Sequence, residues 1–158
     1  MDKKIRVMFV CMGNICRSPL AEGVFRHLAR EAGSGDAFEI ASSGTGGWHV
    51  GDPPDRRMRQ TATRHGISLD GQRARQFERA DFERYDHILA MDEDNLRHLE
   101  ALSRHDAHRD KLALFRSHDP EPGDGNVPDP YYGGDSGFEE VYRIVHRTAG
   151  ALLQSLRD

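Results

Sequence analysis

Cys11 and Arg17 stand six positions apart in the run Cys11-Met12-Gly13-Asn14-Ile15-Cys16-Arg17-Ser18-Pro19, which follows the apolar stretch Ile5–Val10. A thiol, a Gly-containing loop, a guanidinium and a helix start are thereby gathered around one small volume. All four suit an oxyanion. Backbone N–H groups at a helix start point toward negative charge, and the helix dipole adds roughly half a positive charge there. The same field favours a thiolate, the nucleophilic form of cysteine. Arg17 can grip two phosphoryl oxygens in fork geometry and stays charged at any working pH. Gly13 and Asn14 tolerate positive φ, Ser18 is a good N-cap and Pro19 a good first helical residue. A cysteine beneath a bound phosphate is a nucleophile for phosphoryl transfer. A buried cysteine closing a core strand before an ordinary capped helix would explain neither Arg17 nor Gly13-Asn14.

The elements around this loop alternate. Ile5–Val10 is nearly all apolar, as a central parallel strand buried on both faces should be. The spacing predicts a helix from Ser18 to about Ala32, with Leu20, Val24, Phe25 and Leu28 on one stripe. Phe38–Ser42 reads as a second strand, and Asp55–His65 as a helix stopped by Gly66. Tyr85–Met91 reads as a third strand, and Asp92 caps the helix carrying Leu96, Leu99 and Leu102. Leu112–Phe115 is a short fourth strand and Phe138–Leu156 a closing helix. The expected fold is therefore α/β: a doubly wound four-stranded parallel sheet with helices on both faces and a phosphate-binding loop after strand one. Residues 1–158 form one domain. Ligands of such folds sit beyond the carboxyl ends of the strands, where Cys11 lies.

Residues 117–137 hold four of the seven Pro and five Gly. Too few residues follow for a second domain, and long irregular loops inside a domain tend to be functional. Pro128 and Pro130 fix φ on either side of Asp129 and hold its carboxylate stiffly. From the residues alone, a surface Asp-Pro turn remains the competing account.

The Cys11–Pro19 run resembles the loop of the low-molecular-weight protein tyrosine phosphatases. The likeness extends to Ala41-Ser42-Ser43-Gly44-Thr45, His65-Gly66-Ile67, Ala74-Arg75-Gln76, Met91-Asp92 and, most specifically, Asp129-Pro130-Tyr131-Tyr132-Gly133. It covers essentially the whole chain. One departure is Gln72, where members often carry a His that supports the loop. The resemblance implies a metal-independent, cofactor-free hydrolysis of phosphotyrosine proteins or aryl phosphates through a phosphocysteine. Cys11 would be the nucleophile and Arg17 the anion clamp, with residues 12–17 (Met12, Gly13, Asn14, Ile15, Cys16 and Arg17) cradling the phosphoryl group. Asp129 would act as acid and then base, and Ser18 would donate a hydrogen bond to the sulfur. Trp48, Tyr131 and Tyr132 would wall the cleft for an aryl group, and phosphate-type anions should inhibit. Ile15 stands where similar arginine phosphatases carry Thr, which favours phosphotyrosine.

Cys16 has two readings: a small loop filler, or a partner that traps oxidised Cys11 as a disulfide. His105-x-x-His108 could suggest a metal, but without Cys or Glu support a solvated loop is the expectation. Among rivals, a thiol arsenate reductase needs further cysteines after Cys16, and the chain has two Cys in all. A sugar-transport phosphocysteine carrier would leave Arg17 and Asp129 surplus. A non-catalytic phosphotyrosine-binding or redox-sensing protein would not need Asp129.

With 22 basic against 26 acidic residues, a net charge of −4, no electrostatic case exists for nucleic acid or a membrane as partner. Met1-Asp2-Lys3-Lys4 runs straight into a strand rather than a signal segment, and two Cys in one loop make no disulfide framework. The expected location is cytoplasmic.

Overall fold

The computed structural model describes residues 3–131 and 135–157. Four strands, β1 (Ile5–Cys11), β2 (Phe38–Gly44), β3 (His87–Ala90) and β4 (Leu112–Leu114), form one parallel sheet in the order β2-β1-β3-β4. The helices are α1 (Arg17–Glu31), α2 (Arg56–Arg64), α3 (Asp81–Arg84), α4 (Glu93–Leu102), α5 (Asp106–Arg109) and α6 (Asp135–Arg157), with 3-10 turns at Gly35–Ala37 and Phe115–His118. The doubly wound architecture expected from the alternation is the one observed.

β1 is paired on both edges, which is why its run is apolar without interruption: Val7, Met8, Phe9 and Val10 are fully buried. Their alternation splits them between two cores. Val7 and Phe9 face α1 and α6, while Met8 and Val10 face Phe82, Ile88 and Leu99 on the other side. Phe9 meets Phe25 of α1 at 5.8 Å and Phe115 edge-on at 5.4 Å. Truncating such a residue to Ala typically costs about 3–5 kcal/mol. α1 thus lies against the strand that ends at Cys11, so the loop between them has two fixed ends.

Most element ends differ from expectation by one to three residues. The Asp55 carboxylate caps α2, accepting from the Arg57 N–H at 2.8 Å, and Gly66 (φ +78°) ends it. Sequence reading missed the one-turn helices α3 and α5, which are too short to show a period.

The irregular segment 117–131 is built around one carboxylate. Asp119, 4% exposed, accepts from Arg116 Nε at 3.0 Å and from Arg147 Nε at 2.7 Å, so α6 and the loop share it. Arg116 donates onward to the carbonyls of Glu121 at 2.7 Å and Asn126 at 2.8 Å. The Val127 N–H then donates to the Met91 carbonyl at 2.8 Å, delivering the loop to the end of β3. Burial opposes the Asp119 charge, but the hydrogen bonds from Arg147, the Glu121 N–H and Arg116 outweigh it and hold the carboxyl far below the usual range. A depressed folded-state pKa adds stability above the unfolded value near about 3.9, lost as pH falls through the folded one. Asp119→Asn should therefore cost about 3 kcal/mol at neutral pH. In urea unfolding at pH 7 and pH 3, the penalty should shrink at the acid end.

Candidate active site

Cys11 ends β1 and is 3% exposed. Its Sγ lies 3.0 Å from Ser18 Oγ and accepts from the Asn14 N–H at 3.3 Å. Asn14 is the pivot of the loop. Among the described non-glycine residues it alone has positive φ, at 58°, a region open to Asn at modest cost. Gly13, expected to share that freedom, does not use it. The Asn14 side chain explains how the turn is held. Its Oδ1 accepts from the Arg75 N–H at 3.0 Å, which fixes the amide orientation, and its Nδ2 donates to Ser18 Oγ at 2.8 Å and Ser42 Oγ at 3.1 Å. Ser42 in turn donates to Glu22 at 2.7 Å. Because Asn14 supplies a proton to Ser18 Oγ, the Ser18 hydroxyl proton is left for Cys11 Sγ or for the Ser43 carbonyl at 3.3 Å.

Ser18 does not cap α1. The helix begins at Arg17, the N-cap position falls on Cys16, and no side chain caps it. A capping side chain would occupy the very N–H groups that an anion at the helix start would use. Gly44 completes the packing behind the loop, since a Cβ there would stand 2.7 Å from the Met12 carbonyl oxygen.

Arg17 is 3% exposed. Its Nη1 donates to Asp92 Oδ2 at 2.7 Å and to the Val127 carbonyl at 3.0 Å. Its Nη2 lies 3.7 Å from Asp129 Oδ2. Burial opposes the guanidinium charge, but Cys11, Asp92 and Asp129 outweigh it and raise the Arg17 pKa. Asp92 was expected only as a cap. It does cap α4, Oδ1 accepting from the Asn95 N–H at 2.8 Å, while its other oxygen braces Arg17. The available signal was topological: Asp92 follows β3, which pairs directly with β1.

Cys16, 4% exposed, is unlike Cys11: burial first, then Asp55, Cys11 and Asp129, pushes its thiol well above the usual range. Both cysteines are free thiols. Gln72, at the departure from the family pattern, donates to the Pro19 carbonyl at 3.1 Å, and the contact to Asn14 comes from the Arg75 backbone.

A cleft of about 60 Å³ opens over the sulfur. Cys11, Arg17 and loop residues Met12, Gly13, Ile15 and Cys16 line it, and His49, Asp129 and Tyr131 close its sides. Asp129 Oδ1 accepts from the Tyr131 N–H at 3.0 Å, which turns the chain and leaves Oδ2 toward Arg17. Arg57 Nη2 donates to the Tyr131 carbonyl at 2.8 Å and so pins this side. Trp48, expected as a wall, is 73% exposed and folded over Gly46; the wall position belongs to His49, which sequence reading missed. Tyr132, the other expected wall, lies outside the described residues. The expectation of a solvated loop at His105–His108 fails for His108, which is buried beside Glu83.

A β-strand, a loop with a left-handed turn and an uncapped helix start, with a thiol below and a buried guanidinium beside it, gather the groups that cysteine-based phosphate chemistry would need. Residues 6–158 match the family model described as low molecular weight phosphotyrosine protein phosphatase. The low molecular weight protein-tyrosine-phosphatase of Streptomyces coelicolor is 46% identical over 155 residues, 97% of this chain and 94% of that protein. A protein tyrosine phosphatase from Entamoeba histolytica, solved with Hepes in its active site, superposes with a TM-score of 0.93 at 32% identity, covering 98% and 97% of the two chains. A drosophila arginine phosphatase gives 0.90 at 32% identity, covering 98% and 99%. The chain belongs to the low molecular weight phosphotyrosine protein phosphatase family.

Asp92→Asn keeps a competent cap but puts an amide N–H₂ against Arg17 if the amide oxygen stays on Asn95. The loss of a charged hydrogen bond to a buried guanidinium predicts a fall of about ten- to a hundredfold in kcat/KM for an aryl phosphate together with a lowered Tm. Steady-state kinetics beside thermal unfolding checks this.

Proposed function

We propose that this chain hydrolyses phosphotyrosine and aryl phosphate monoesters through a phosphocysteine at Cys11. The observation that carries the proposal is the buried Arg17 guanidinium, set between Asp92 and the Asp129 carboxylate at the mouth of the cleft over Cys11. Both hydrogens of Nη1 are taken by Asp92 and Val127, which leaves Nη2 and Nε for two phosphoryl oxygens. Loop N–H groups at the start of α1 would carry the remaining charge.

The Cys11 thiolate attacks phosphorus, forming the S–P bond as the P–O bond to the aryl group breaks. Asp129 gives its proton to the departing oxygen, which as a phenolate of acid pKa about 10 leaves poorly unaided. Water then attacks the phosphocysteine while the Asp129 carboxylate takes its proton. The S–P bond breaks, phosphate leaves, and Ser18 Oγ–H donates to the emerging sulfur. The high pKa of Cys16 leaves Cys11 as the nucleophile of the pair. The proposal includes a cytoplasmic location, for which two cysteines left unpaired are suited; no helix of the described residues is long and apolar enough to cross a membrane.

Phosphoarginine is the second reading, given the drosophila neighbour. Ile15 lines the cleft and is 9% exposed. Its alkyl side chain offers no acceptor to a guanidinium leaving group, so any N–H donor turned to that wall would be desolvated unpaired. A phenol ring between Ile15 and Tyr131 carries no such cost. The deciding assay compares turnover of a phosphotyrosine peptide with phosphoserine, phosphoarginine and arsenate. Aryl turnover should dominate; preference for phosphoarginine would reverse the assignment.

Two variants test the roles. Cys11→Ser should abolish turnover yet still bind phosphate, since Arg17 and the loop amides remain. Asp129→Asn should slow poor leaving groups by about two to four decades. That deficit should shrink as the leaving phenol grows more acidic. A loss that stays flat across a leaving-group series would make Asp129 a structural residue.

A further inference from the structure

Three side chains that phosphate chemistry leaves unused meet at the opposite end of the sheet, where the chain enters β3 and β4. Glu83 lies in the single turn of α3, while His105 is the N-cap of α5 and His108 lies within it. Glu83 Oε1 lies 2.7 Å from His108 Nε2, and the His105 and His108 rings lie 3.8 Å apart. One potential ligand atom from each of the three falls within 4.8 Å of the others, the single such group found among the described residues.

The three are not equally free. His108 is 6% exposed and stacked flat on Phe82 at 4.4 Å, so its ring is fixed. Glu83 and His105 are exposed and can adjust. Two imidazoles and a carboxylate are a borderline-soft donor set suited to a zinc-class ion, whose tetrahedral bonds of about 2.0–2.2 Å require only small movements of the two exposed side chains. The missing Glu that made a metal unexpected from His105-x-x-His108 alone comes from 22 residues upstream, through the fold.

We propose that Glu83, His105 and His108 hold one zinc-class divalent ion, with water completing its coordination, and that this ion ties α3 to α5. Both are four-residue helices, and neither N-cap makes a side-chain hydrogen bond. Such single turns are marginal without tertiary support, so a cross-link between them stabilises the entry to two strands. Loading changes the His108 tautomer. In the unloaded ring Nδ1 accepts from the Arg104 N–H at 3.2 Å, so the proton sits on Nε2 and faces Glu83. The ion takes Nε2 and that proton moves through solvent to Nδ1, at the expense of the 3.2 Å hydrogen bond from the Arg104 N–H. Lys111, close enough to act on the Glu83 carboxylate, is the opposing charge beside the site.

The test is calorimetric titration of the untagged full chain with Zn²⁺, alongside thermal unfolding with and without the ion. Co²⁺ then serves as a spectroscopic stand-in. The expected result is one equivalent bound in the micromolar range or tighter, a raised Tm, and a cobalt spectrum without a sulfur-to-metal charge-transfer band. His105→Ala and Glu83→Gln, both at exposed positions, should each weaken binding by at least about tenfold. His105→Ala should leave aryl phosphate turnover unchanged. Absence of binding at millimolar zinc would overturn the proposal. So would binding indifferent to both substitutions, or a thiolate band placing the ion at Cys11 and Cys16.

Discussion

A guanidinium buried to 3% exposure is the feature around which this molecule is arranged. Removing such a charge from water costs several kcal/mol unless it is paired and hydrogen-bonded. Arg17 meets Asp92 and the Val127 carbonyl, and each partner arrives by a separate structural route. Asp92 is there because β3 pairs with β1 in parallel, so both strands end at the same level. Val127 is there because its own N–H is tied to Met91 and because Asp119, shared by Arg116 and Arg147, shapes the preceding loop. Two distant segments are thus fixed by the need to compensate one charge. The cleft lies on the face of that charge they leave open.

The sulfur side follows a different logic, in which backbone geometry matters more than charge. The left-handed turn at Asn14 brings its N–H to Cys11 Sγ, while its amide orients Ser18. That amide is oriented in turn by the Arg75 N–H, and the Arg75 side chain is anchored on the fully buried Asp81 at 3.1 Å. The loop is therefore held from behind by groups that never reach the cleft. Such prior ordering is what lets loop amides stabilise developing charge without reorganising during the reaction.

The parts of this site that lie within nine consecutive residues were legible in the sequence, because spacing there is geometry. Cys11, Arg17 and the helix start could be placed together without knowing the sheet. Ser18 was misread as a cap, since capping preferences describe helices whose first amides lack another use. Asp92 looked like a cap and is one; its second oxygen became informative only once β3 was seen beside β1. Trp48 and His49 are neighbours in sequence, and only the path of the chain over Gly46 decides which enters the cleft. Glu83 and His108 are 25 residues apart and come together through the helical turns before β3 and β4, which no periodicity announces.

If the buried guanidinium acts by geometry rather than by bulk charge, lysine cannot replace it. Arg17→Lys keeps the charge but supplies a point donor that cannot span two phosphoryl oxygens while also meeting Asp92 and Val127. The decisive measurement is kcat/KM for an aryl phosphate in Arg17→Lys and Arg17→Ala side by side, with thermal unfolding to confirm that both fold. The account predicts that the lysine variant fails nearly as badly as the alanine one. Recovery of most of the wild-type rate by lysine would contradict it.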